Sequence, residues 1–162
     1  MASGATLLFW LASAGEPPAT DYATFNTFNS RTVLEFDQTT QEAAMFVGIM
    51  SRSYSSGGIT VALHWATSAT TGTGGWDVAI ERISDGATDL DADSFASAKV
   101  VTAATVPGTA GVAAVGSIAF ANGSEMDGVS AGDLFRVRVR RDVANDTAAA
   151  DLRLLAIEVR ET

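Results

Sequence analysis

Cysteine is absent from this 162-residue chain, and lysine and histidine occur once each, as Lys99 and His64. Without cysteine there is no disulfide framework, no thiolate nucleophile and no cysteine-based metal site. A single histidine rules out a two-histidine zinc site, and any Ser-His-Asp arrangement would have to use His64. Long apolar runs are missing as well. No stretch approaches the roughly 20 residues of a membrane-spanning helix, so no membrane partner is expected. Cations are scarce: ten Lys plus Arg face nineteen Asp plus Glu, a net charge of −9. Such a chain is repelled by phosphates, so direct nucleic-acid contact is not expected. There is no phosphate loop, dinucleotide fingerprint or G-x-S-x-G elbow, so neither a cofactor nor an enzymatic activity is expected.

What is present is small residues, fifteen glycines and short apolar stretches, a composition that favours strands and turns. Strand signals run over Thr6–Ala12, Val33–Phe36, Ala43–Met50, Ile59–Thr67, Trp76–Ile83, Lys99–Val106, Gly111–Phe120, Leu134–Arg141 and Leu152–Val159. Leu134–Arg141 alternates most cleanly, with Phe135, Val137 and Val139 against Arg136, Arg138 and Arg140. Ile59–Thr67 and Trp76–Ile83 also alternate, and across their Gly-rich connection they read as an antiparallel pair. Short helical turns are expected near Thr40–Ala44 and Asp91–Ser97, the latter capped by Asp93 or Ser94. Leu7–Ala14 has the look of a secretion-signal core, but no Lys or Arg precedes it and it is very short, so a buried first strand is expected there. The fold class that follows is all-β: an antiparallel, jelly-roll-like β-sandwich of eight or nine short strands with little helix. It forms one domain, with residues 1–22 as an N-terminal strand and extended arm and 23–162 as the sandwich.

The residues capable of chemistry are few. His64 lies mid-strand among Thr and Ala, where a partly exposed or interface histidine is expected. Asp89, Asp91 and Asp93 have the alternate spacing of a calcium loop, but Ser94 replaces the glycine and Val100 the closing glutamate, so no metal is expected. Asp77 and Glu81 share a strand face, about 13 Å apart at strand rise, which is too far for a glycosidase pair. Phe9, Trp10, Trp65 and Trp76 offer sugar-stacking surface, yet their spacing suits core or interface. The Arg136, Arg138 and Arg140 row is expected to pair with acidic neighbours or with a partner subunit.

Several stretches together resemble a known class: FNTFNSRTVLEFD from Phe25, FVGIMSRSY, GGITVALHW and WDVAIERI between Glu42 and Ile83, LFRVRVRR from Leu134, and the terminal LLAIEVRET. They are similar to small β-rich virion proteins of tailed phages, of the capsid decoration or cement type. The resemblance is one of strands and turns, so it transfers no functional residue. It implies a homotrimer bound to the major capsid protein on the outer capsid surface, stabilising the shell by binding only its assembled form. The candidate interface residues are Leu7, Leu8, Phe9, Trp10, Pro17, Pro18 and Tyr22 of the N-terminal segment, Phe46 of the apolar strand, and Arg136, Arg138 and Arg140. The alternative is a carbohydrate-binding or host-attachment module of a phage fibre or spike, which requires exposed aromatic side chains.

Overall fold

A computed structural model describes residues 4–162, so the first three residues of the expected N-terminal arm lie outside it. Among the described residues, alternation of apolar and polar side chains produces ten strands: β1 (Thr6–Leu11), β2 (Thr24–Phe28), β3 (Arg31–Phe36), β4 (Ala43–Ile49), β5 (Ile59–Thr67), β6 (Thr73–Ile83), β7 (Lys99–Thr105), β8 (Ala114–Phe120), β9 (Leu134–Arg141) and β10 (Leu152–Glu161). They form two antiparallel sheets. The four-stranded sheet has the order β4-β9-β6-β7. In the six-stranded sheet the order is β2-β3-β10-β5-β8, with β1 also on β10. β3 pairs with Leu152–Leu154 of β10, and β1 pairs with residues 156–160. A bulge between Leu154 and Ala156 separates the two stretches.

The apolar faces meet in one core. Ile59, Val61, Leu63 and Trp65 of β5 and Leu152, Leu154, Ile157 and Val159 of β10 oppose Trp76, Val78 and Ile80 of β6 and Phe135, Val137 and Val139 of β9, all fully buried. Phe36 meets Trp76 edge-on at 5.0 Å, and Trp76 meets Trp65 at 6.3 Å. Gly74 is required here, because a Cβ at that position would sit 2.5 Å from the Trp65 ring.

Four expectations are corrected. β5 and β6 are not a hairpin: residues 68–72 carry the chain from one sheet to the other. Alternation reports which side chains face the core and says nothing about which strand lies alongside. No helix forms at 40–44 or 91–97. The Asp37 carboxylate instead takes the Thr39 and Thr40 N–H groups, each at 2.7 Å, in a tight turn. Ser94 and Asp93 are drawn to charges on the four-stranded sheet. Finally, a strand was missed. β2 pairs with β3 through the two-residue turn Asn29-Ser30, both at positive φ as a type I′ hairpin needs.

The segment between β1 and β2 has a clear role. Glu16 exchanges backbone hydrogen bonds with Met45 at 2.8 and 2.9 Å, and Ala43 is bonded by Asp21 and Ala23. The expected extended arm is thus laid along the free edge of β4 in its own domain, covering backbone that would otherwise invite pairing.

Candidate functional site

The outer face of the six-stranded sheet carries an exposed aromatic side chain beside polar groups. Register places Phe9, Glu158, Ala62 and Ser117 in one row across β1, β10, β5 and β8, and Leu11, Ala156, His64 and Val115 in the next. Phe9 is 65% exposed, Leu11 57% and Val115 53%. Between them lies an open depression of about 430 Å³ lined by Thr6, Phe9, His64, Ala156, Ile157 and Glu158. A second, of about 400 Å³ and containing Leu11, Ser13, Arg31 and Thr32, shares Ala156 with it. Ala156, which directly follows the β10 irregularity, lines both hollows.

The hollow combines apolar surface with a few polar groups. Phe9 presents a ring to solvent, His64 stands half-buried across from it, and Glu158 is steadied by the Thr6 hydroxyl and by Arg160 at 3.7 Å. Arg31, at the far end, has no ion pair among the described residues. A flat apolar ring beside donors and acceptors is what a polyhydroxylated ligand can use: stacking on Phe9 and hydrogen bonds to Glu158 and His64. No cluster of metal-ligating side chains occurs among the described residues.

No family model and no curated protein matches this chain. Solved structures do resemble it. A Xyl-CBM35 module, in complex with a glucuronic-acid-containing disaccharide, shares 13% identity over 94% of this chain and 91% of its own, with a TM-score of 0.57. CsCBM6-3 from Clostridium stercorarium, in complex with cellobiose, shares 10% over 99% and 98%, TM-score 0.55. The CBM35 from Cellvibrio japonicus Abf62 shares 14% over 95% and 92%, TM-score 0.54. At such identities the likeness is one of fold: a jelly-roll-like antiparallel sandwich.

The expected interface residues divide sharply. Phe9 is exposed and lines the hollow, and Tyr22 is 52% exposed. Pro17 is exposed and Pro18 half-buried in the segment along β4. Leu7 and Leu8 pack against the core. Trp10 and Phe46 are corrections: both are buried, and their rings pack together 6.0 Å apart. Phe46 lies on the inward face of β4; on the outward face Ala43 and Met45 are buried but Ile49 is 63% exposed. Trp65 and Trp76 are likewise core, leaving Phe9 alone of the four stacking aromatics at the surface.

The arginine row is consumed internally. Arg136 binds Glu81 and, at 2.7 Å, Asp93. Arg140 grips Asp77 with two nitrogens at 2.9–3.1 Å. Arg138, between them, lies over the Phe95 ring at 5.0 Å, and Arg136 covers the same ring at 4.8 Å. Burial pushes the Glu81 carboxyl up, but hydrogen bonds from Arg136 and Ser94 outweigh it and hold the group below the usual carboxylate range. Arg136 and Arg138 clamp the 84–98 loop onto the sheet through Asp93 and Phe95, while Arg140 is bound to Asp77 within the sheet. Sequence reasoning missed Glu158 as a neighbour of Phe9, because the pairing of β1 with β10 brings together residues far apart in the chain.

Proposed function

We propose that this protein is a carbohydrate-binding module that holds a glycan on the outer face of its six-stranded sheet, with Phe9 as the stacking ring and His64 and Glu158 as polar contacts. The observation that carries this reading is the solvent-exposed Phe9 ring standing over a hollow that also contains His64 and Glu158. The size of the face supports it. Four strands at about 4.8 Å spacing and two rows at about 7 Å cover about 270 Å². A stable protein interface takes about 800 Å² per partner, whereas a sugar chain needs only such a strip. The test is a glycan array followed by calorimetry. Binding of at least one oligosaccharide, abolished by F9A and weakened by H64A with unchanged melting, is the expected result. Retained binding in F9A, or no glycan bound at all, removes the proposal.

A second reading places the chain on a tailed-phage particle, as a homotrimer decorating the head through its major capsid protein. It draws on the sequence resemblance and on the exposure of Phe9 and Leu11 at the sheet surface. Electron microscopy of the particle tests it by placing density on the head or on a fibre. Light scattering near the chain mass of 16.7 kDa would exclude the homotrimer.

A further inference from the structure

A third hollow lies where the 12–23 segment crosses from β1 to β2. Its volume is about 160 Å³, and its walls are almost wholly apolar, formed by Pro17, Tyr22, Phe25, Leu34 and Ala44. Leu34 and Ala44 form a buried floor, while Tyr22 and Phe25 stand at the rim, 52% and 49% exposed. The hollow is built in advance. Gly15 lets the segment approach closely, since a Cβ there would lie 2.5 Å from Leu34, and four backbone hydrogen bonds of 2.8–3.0 Å pin Glu16, Asp21 and Ala23 to β4. Its surroundings are acidic: Glu16 lines the hollow and Asp21 precedes Tyr22 in the chain, both are exposed, and neither is in an ion pair among the described residues.

Size and polarity decide what fits. Small-molecule sites span about 300–1,000 Å³ and place several polar groups around the ligand. This hollow is smaller than that and offers a sugar no buried hydrogen-bonding partner. It suits one large apolar side chain, whose transfer from water is favourable on its own. We infer that the Tyr22–Phe25 hollow is a protein-docking site, seating one leucine-sized side chain of a partner segment whose flanking residues are Lys or Arg. Charge complementarity selects the flanks: the surroundings are anionic on a chain of net charge −9, so a basic segment is attracted and an acidic one repelled. This inference does not depend on glycan binding.

The experiment uses the full chain, isotopically labelled, and the peptide Ac-Lys-Arg-Leu-Arg-Lys-NH2 followed by NMR. Perturbed amides should cluster at residues 15–17 and 22–25. Replacing the central Leu by Ala should weaken binding about tenfold, the equivalent of one buried side chain. Replacing the basic flanks by Glu should weaken it at least as much. The exposed substitutions Y22S and F25S should abolish the response with unchanged melting, and F9A should leave it intact. No perturbation at the hollow overturns the inference, as does equal binding of the Ala-centred or Glu-flanked peptide.

Discussion

The Trp10 indole N–H donates a 2.9 Å hydrogen bond to the backbone carbonyl of Val47, tying β1 of one sheet to the edge strand β4 of the other. The same ring lies against Gly48, where a Cβ would be 2.6 Å from Cζ2. The bond closes the sandwich at one side, because an unmet carbonyl beneath a buried ring would be unfavourable. Trp10→Ala should therefore destabilise the fold by about 3–5 kcal/mol, combining cavity and lost bond. Gly48→Ala should destabilise by about 1–3 kcal/mol through overpacking. Urea unfolding of both variants checks the two values.

Phe9, one position earlier, points the other way. Its exposure means that Phe9→Ala should change stability by less than about 0.5 kcal/mol. The contrast between Trp10 and Phe9 in one melting series tests the facing of β1 directly. A large loss in Phe9→Ala would mean that its ring is covered.

Arg141 and Asp146 form a bidentate ion pair at 2.9 and 3.0 Å, with the arginine fully buried and also bonded to the carbonyls of Phe36 and Ala148. Asp146→Ala leaves a buried guanidinium without its counter-charge and should destabilise the fold by about 3–5 kcal/mol. Arg141→Met should destabilise the fold by a similar amount, because it leaves the buried Asp146 carboxylate unpaired and the Phe36 and Ala148 carbonyls without their donor. Chemical denaturation of the two variants should show comparable losses, and a neutral effect of either would mean that the pair is not buried.

Asp37 sets a pH dependence at the acid end. The Thr39 backbone N–H, with the Thr39 hydroxyl and the Thr40 N–H, lowers its carboxyl from the ordinary 3.8 to about 2. A lowered folded value contributes stability that is present above 3.8 and is lost as pH falls through about 2. Glu81 acts in the same direction below its ordinary value of 4.5. Thermal melts of the parent and of Asp37→Asn over this range should show a shallower acid slope in the variant. Identical slopes would mean that the turn does not hold the charge.

Phe95 is the lid of the arginine clamp. Phe95→Ala removes the ring under Arg136 and Arg138 while leaving the Glu81–Ser94 bonds of 2.6 Å. Limited proteolysis should then cut within residues 84–98 faster than in the parent, with the rest of the sandwich unaltered. Equal cutting would show that the loop is held by the Glu81–Ser94 and Arg136–Asp93 contacts without the ring.

Inward and outward facing was legible in the chain wherever alternation was strict. β9 has the predicted bounds, and the inward sets of β5 and β6 are those read from the residues, because a strand has a period of two and one buried face. The missing β2 was also legible in part: Asn29-Ser30 between Phe28 and Arg31 is the kind of turn that closes a hairpin.

Composition and order alone determined that this is an all-β, cysteine-free, acidic domain whose aromatics mostly form its core, since burial follows from the spacing of apolar side chains. Only the tertiary structure decided which strands became neighbours, because pairing is a long-range choice that local pattern does not encode. It sent β5 and β6 to different sheets and brought Phe9 beside Glu158 and His64. It also bound Arg136 and Arg140 to Glu81 and Asp77, pairing within the fold two of the three charges in the row that the strand displays as a sequence.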